Sequence, residues 1–598
     1  MNGLARRLVV IVAVWGWLAA AVAAPAGAQS AGEPAVPESA PAVIAPVMAP
    51  VMAPVVAPVV VMPPPVPAVI PAGPFAELIA ARLSAPLGVL DSRRPPDAAR
   101  LRRFYEHREY RPLWFSDAEP AAAVLSPRAK DLQAVTAASE TDALLPADYH
   151  PAAIAARLEA VEPARRAELD LLLTDALMSY AVDLRRGRLV PHAIAEEFAQ
   201  EPPALDVGEV APAALAAPDL RVFLAGLAPP QGRYTRLREA LRMMRGFEKA
   251  GGWPKVPEGP KLEPGISDPV VKSLRRRLSV TGELDAQRKP LSSLYDPVLK
   301  AAVQHFQARN GLKADGVIGS QTYQALNISA AERVISIIAN MERERWMPAD
   351  LGPRYVLVNI AGFSLRAVEG GKAVLEMPVI VGTKVRRTPI LTSEITSLIW
   401  NPTWSVPHKL AREDILPKLR ENPGYLAEMN IVLYDGSYSG GKVKPDGIDW
   451  ATFNDINRFR LRQMPGAHNA LGQVKFNIPN GFDVYLHDTP HREKFAKPVR
   501  ALSSGCVRVG NPMALADFLL TDMPEWTKER RAAVLEKGDT RFVTLHTPTP
   551  VFLLYRTAWV EESGALNFRD DVYGRDLQIF RAIRRLDDTA PRSAANAS

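Results

Sequence analysis

The sequence predicts a multidomain α+β chain: a helical scaffold domain, a small three-helix domain, and a mostly-β domain carrying a helix-and-loop insertion. Three observations point there. At 598 residues the chain is long enough for about four modules, taking roughly 150 residues per domain. Apolar residues before Gly252 recur at helical spacing, as in Ala167-Glu168-Leu169-Asp170-Leu171-Leu172-Leu173. From about Arg354 short runs rich in Val, Ile, Phe and Trp take over, such as Tyr355-Val356-Leu357-Val358-Asn359-Ile360, and these read as strands of an antiparallel sheet.

Charge and cysteine usage narrow the class. Lys and Arg number 72 against 65 Asp and Glu, a formal +7 that is modest for this length, so no nucleic-acid partner is expected. The single cysteine, Cys506, excludes an internal disulfide, an iron–sulfur centre and a cysteine-ligated zinc finger. No cofactor is expected either.

Residues 1–28 read as a secretory signal, with Arg6 and Arg7 before an apolar run and Ala26-Gly27-Ala28 as a small-x-small cleavage site. The apolar run is short for a span of ~20 residues, so an uncleaved N-terminal anchor is the alternative, and either way the bulk of the chain is exported. Residues 29–74 are rich in Pro, Ala and Val, with near-repeats such as Ala45-Pro46-Val47-Met48 and Ala49-Pro50-Val51-Met52. Proline at this density forbids helices and central strands, leaving an extended spacer or a low-complexity linker. Residues 75–252 form the helical scaffold domain. Nothing there gathers the carboxylates, histidines or glycine loops that chemistry needs, and the cluster Tyr110-Arg111-Pro112-Leu113-Trp114-Phe115 reads as core.

Residues 262–328 carry helices at 270–278 and from Asp296, which with Pro297 behind it forms a helix start. The run Ala302-Val303-Gln304-His305-Phe306-Gln307, then Gly311-Leu312, Asp315-Gly316 and Gly319 with Thr322, resembles the three-helix peptidoglycan-binding module. A module of that fold kept as a spacer is the plainer alternative. Residues 350–547 form the mostly-β domain, residues 406–470 its insertion, and residues 548–598 a C-terminal extension.

Within the β domain, strands at 473–478 and 482–487 flank Pro479-Asn480-Gly481, a hairpin signal that puts His487 at a strand end. A long loop then leads to Ser503-Ser504-Gly505-Cys506-Val507-Arg508-Val509-Gly510-Asn511-Pro512, where Asn511 is a helix N-cap. A thiol at pH 7 is only a few per cent thiolate; a nearby imidazole can take its proton and leave an ion pair that lowers the thiol pKa. The Gly505 and Cys506 amides are natural oxyanion donors, and Arg508 can add positive field or support the loop. A lone cysteine is more often a buried apolar residue, and that reading competes here. His491 is a rival base to His487, disfavoured because it sits in a loop.

The segment from His487 to Asn511 resembles the signature of the L,D-transpeptidases with a YkuD-type catalytic domain. The upstream text, including Asn401-Pro402-Thr403-Trp404-Ser405-Val406-Pro407 and Asn422-Pro423-Gly424-Tyr425-Leu426, is similar to the large YcbB-like branch, with its scaffold, peptidoglycan-binding and capping parts. Ser504 stands where many members have histidine, which weakens any catalytic role there. The resemblance implies a periplasmic enzyme in which Cys506 is the nucleophile and His487 the acid and base. Tyr485, Ser504, Trp404 and Asn511 would contact substrate. It further implies stem peptides of peptidoglycan as donor and acceptor, carbapenem-type inhibitors, and other wall-synthesis enzymes as partners. Hydrolysis in place of transfer (an L,D-carboxypeptidase) and a non-catalytic wall-binding scaffold remain the alternatives. A zinc amidase is disfavoured, because the nine histidines show no His-Glu-x-x-His spacing.

Overall fold

The computed structural model describes residues 69–87, 94–116, 119–285 and 292–585. The expected signal, residues 29–68 of the expected linker and residues 586–598 lie outside them. Among the described residues no helix is long and apolar enough to cross a membrane. The described residues all fall within one compact unit.

The scaffold region is organised by the helix Pro163–Arg186, which starts with Pro163 in its first turn and stops at Gly187, whose φ of 84° a side chain would resist. This helix is buried on nearly every face, including Asp170, Thr174, Asp175, Ser179 and Asp183. Carboxylates therefore do gather here, against the sequence-based expectation. Each is consumed by a structural partner: Asp170 accepts the Leu113 and Trp114 amides and the Tyr105 hydroxyl, Asp175 pairs with His150 and Arg100, and Asp183 with Arg94 and Tyr149. The aromatic cluster is core as expected, with Trp114 buried by this anchoring. Replacing Asp170 with alanine would strand three buried donors, and urea denaturation should show a loss of about 3 kcal/mol or more.

The three-helix module comprises Val270–Val280, Pro297–Arg309 and Ser320–Asn327, packed around its own core of Leu274, Leu278, Leu299, Val303, Phe306 and Leu326. Asp296 caps the second helix as expected, accepting the Leu299 amide at 2.9 Å. A helix the sequence reading did not single out, Ala330–Arg345, follows with a capping box between Ser329 and Glu332. Its far end is buried and ties the parts together. Glu344 pairs with Arg233 of the scaffold and Arg556, Arg343 with Asp576, and Asn340 with Thr557.

The β domain departs from the expected antiparallel sheet. Its ten-stranded sheet is mixed, and it closes on itself. Around the ring run Ile390–Trp400, Val474–Asn477, Leu486–His487, Val507–Val509, Lys372–Gly382, Ser364–Glu369, Arg354–Asn359 and Arg541–Leu554, the last pairing back to Ile390–Trp400. The pairs Leu486–His487 with Val507–Val509, and Arg541–Leu554 with Arg354–Asn359, are parallel. Parallel neighbours need a long crossover, which alternation along one strand cannot reveal. The scaffold adds a short strand, Phe198–Ala199, to the same sheet. The boundary expected at 547/548 falls inside the unbroken strand Arg541–Leu554, so the C-terminal extension begins within the barrel wall.

Two further expectations shift. The strand at 482–487 shortens to Leu486–His487, because Asn480 ties the widened turn to Ile478, Phe482 and Val484, and Asp483 takes a positive φ of 53°. The insertion, expected as helix and loop, also holds a four-stranded sheet of short strands: Trp404–Ser405, Phe459–Gln463, Ile431–Asp435 and Lys442–Val443. It packs around its own core of Leu419, Leu433, Trp450 and Leu461. Strands of two to five residues are too short for alternation to register.

Candidate active site

The parallel pairing of the histidine and cysteine strands builds the site. Leu486 lies opposite Val507 and His487 opposite Arg508, with the Val507 amide donating to the Tyr485 carbonyl at 3.0 Å. Leu486 and Val507 are buried in the core, so Tyr485, His487, Cys506 and Arg508 share the opposite face. Lys475, paired with His487 from the next strand, joins them, its ammonium 4.0 Å from the Tyr485 ring centroid. The rings of Tyr485 and His487 stand 5.7 Å apart, edge to face. Two residues distant in sequence thus become neighbours through the crossover 488–506.

His487 is buried, and its Nδ1 lies 2.5 Å from the Asp488 carbonyl oxygen. A carbonyl can only accept, so Nδ1 carries the proton and Nε2 is left as the free acceptor. Burial, then the charges of Arg508 and Lys475, push the imidazole down to about 3. Cys506 is half-buried, its Sγ 3.9 Å from the Asp483 carbonyl. Burial pushes its thiol up, opposed by the Tyr485 amide and hydroxyl and by the charges of Lys475 and Arg508. Both directions work against the Cys–His ion pair that the sequence suggests. Among the described residues no hydrogen bond joins the two side chains, and the same burial disfavours the charged form of each.

The loop around Cys506 is tied down by hydroxyls. Ser503 Oγ accepts the Gly505 amide at 3.2 Å and donates to the Cys506 carbonyl at 2.6 Å, while Thr388 Oγ1 donates to the Gly505 carbonyl at 2.7 Å. Gly505 sits at φ 120°, a conformation that side chains rarely adopt. Its amide is already used by Ser503, so the oxyanion role expected of Gly505 is corrected. No hydrogen bond from the Cys506 amide occurs among the described residues, so of the two amides it is the one without a partner.

The remaining expected residues divide. Trp404 is half-buried against the core of the insertion; burial, then the neighbouring Cys506, push the Tyr485 hydroxyl far up, so it stays a donor. Ser504 is exposed and accepts from Arg386 at 3.0 Å, and Arg386 pairs with Glu413 and Asp414 of the insertion. Asn511 is the expected helix cap, its Oδ1 accepting the Ala514 amide at 3.2 Å. His491 is exposed near Glu493 and is no partner of the thiol. Sequence reading gave no site role to Lys475, Ser503, Thr388, Arg386 or the Asp488 carbonyl. Ser503 does fall inside the cysteine segment, but each of these acts through a contact made only on folding.

The family description "L,D-transpeptidase catalytic domain" matches residues 353–543, "Scaffold domain" residues 99–241, and "Putative peptidoglycan binding domain" residues 267–326. The chain is 42% identical over 224 residues to a Haemophilus influenzae protein named "Putative L,D-transpeptidase", covering 38% of this chain and 45% of that protein. A second match, 35% identical over 80 residues, is to the N-acetylmuramoyl-L-alanine amidase CwlM of Mycobacterium tuberculosis and covers 12% of this chain and 20% of that protein. The chain thus spans less than half the length of these curated relatives. An L,D-transpeptidase structure from Mycobacterium smegmatis aligns at 12% identity over 34% of this chain and 58% of that one, with a TM-score of 0.18, too low to bear on the fold. Residues 353–543 are an L,D-transpeptidase catalytic domain of the YkuD type, carried on a chain that also bears a scaffold domain and a peptidoglycan-binding domain.

Proposed function

We propose that the chain is an exported, periplasmic L,D-transpeptidase that joins peptidoglycan stem peptides by 3→3 cross-links through a thioester on Cys506. The observation that carries this reading is the shared sheet face of Cys506 and His487, with Nδ1 of His487 held by the Asp488 carbonyl so that Nε2 is the basic atom. The thiol proton passes to Nε2, and the thiolate adds to the carbonyl carbon of the third residue of a donor tetrapeptide. The oxyanion faces the Cys506 amide. Collapse breaks the C–N bond to the terminal D-alanine, whose amine takes the proton from the imidazolium. The side-chain amine of a second stem then attacks the thioester, gives a proton to His487, and expels the thiolate, which recovers its proton. Substrate must close the gap between Nε2 and Sγ, as is common for sites whose hydrogen bonds tighten only in the complex.

Incubating the purified protein with disaccharide-tetrapeptide and analysing products by mass tests the reading. Loss of D-alanine with dimers is expected, together with a carbapenem adduct on Cys506. D-alanine loss without dimers would instead mean an L,D-carboxypeptidase, and intact substrate a wall-binding scaffold.

A further inference from the structure

Among the described residues no hydrogen bond or ion pair is made by the Arg508 guanidinium. Its Nε and Nη1 are shielded from solvent and make no hydrogen bond. Most buried arginines of this chain find a carboxylate or carbonyl, as Arg343 does with Asp576 and Arg345 with Glu342. Arg508 instead lies beside Cys506 and His487 on the face that bears the thiol, and among the described residues no carboxylate pairs with it. Of the charges around it, Glu493 on the crossover is attractive, while the neighbouring Lys494 repels. A desolvated fork of this kind costs stability unless something fills it.

We propose that Arg508 is a specificity residue whose guanidinium binds the terminal carboxylate of the donor peptide's leaving residue. The proposal rests on the transpeptidase reading and adds the substrate feature it selects. Reach agrees with chemistry. Residues two apart on a strand are spaced about 6.7 Å, and the carboxyl carbon of the leaving residue lies one residue, about 3.8 Å between Cα atoms, beyond the scissile bond. An arginine side chain spans the difference. Its planar fork matches a carboxylate with two parallel N–H bonds, which a lysine cannot reproduce. Lys475 does not serve as well, because it sits on the far side of the histidine strand with its ammonium against the Tyr485 ring.

The test compares two donor peptides, one ending in D-alanine and one in D-alaninamide, with wild-type protein, Arg508→Met and Arg508→Lys. Formation of the Cys506 acyl-enzyme is followed by intact mass. Wild type should favour the free acid by roughly 10- to 100-fold in kcat/KM. Arg508→Met should bring the ratio near one by losing rate on the acid alone, and Arg508→Lys should fall between. Should Arg508→Met fail to fold, as judged by its thermal melt, the lysine variant still reads the ratio. A ratio unchanged in the variants, or a wild type indifferent to the terminal group, overturns the proposal while leaving the transpeptidase reading intact. Absence of any acyl-enzyme from wild type with both peptides overturns the reading beneath it.

Discussion

Replacing Cys506 with alanine should abolish D-alanine release and dimer formation, a loss of at least about 10³-fold in turnover. The chain contains no second cysteine, so no other thiol can stand in. Serine at the same position should do little better, because a hydroxyl ionises far above any pH the protein tolerates and a buried imidazole held down to about 3 is a weak base for it. The folded state should hardly notice the change. Cys506 is half-buried and its Sγ makes one long contact, 3.9 Å to Asp483, so the stability difference should lie within about 0.5 kcal/mol. That contrast separates a nucleophile from a buried apolar thiol, which would cost stability and leave activity alone. Mass analysis of products beside a thermal melt decides it, and an active alanine variant would end the covalent mechanism.

Much of the architecture could be read from local signals. Asp296 and Asn511 cap helices where their neighbours Pro297 and Pro512 announced them, and the module around Phe306 has the helices its periodicity requires. The pairing of His487 with Arg508 could not be read this way, because it depends on a crossover whose direction leaves no trace in either strand. Electrostatics were hidden for the same reason. An imidazole beside a thiol suggests an ion pair on chemical grounds, yet burial acts on both groups, and how deeply a strand end is buried depends on what folds over it. Gly505 shows the limit from the other side. Its conformational role follows from its identity, but its amide was taken by Ser503 through a loop geometry that only the folded chain defines.

His487 should yield the second large effect, and pH tells its role from a structural one. His487→Asn should slow acylation by roughly 10²- to 10⁴-fold. In wild type the imidazole is held down to about 3, against an ordinary 6.5, so it is already neutral, with Nε2 free to accept a proton, across the range from 4 to 8. The acid limb of kcat/KM should therefore show no break near 6.5, and the rate of thiol alkylation should climb into alkaline pH because burial lifts the Cys506 thiol. The same depression has a stability consequence with a definite sign. Between about 3 and 6.5 the unfolded chain binds a proton at this histidine that the folded chain refuses, so stability rises with pH through that window and levels off above it. Asparagine at 487 removes this contribution, and urea denaturation between pH 4 and 6.5 should give a flatter dependence for the variant than for wild type. A wild-type rate profile with an acid limb centred near 6.5 would instead mean an imidazole in contact with water, and would return the Cys–His ion pair to consideration.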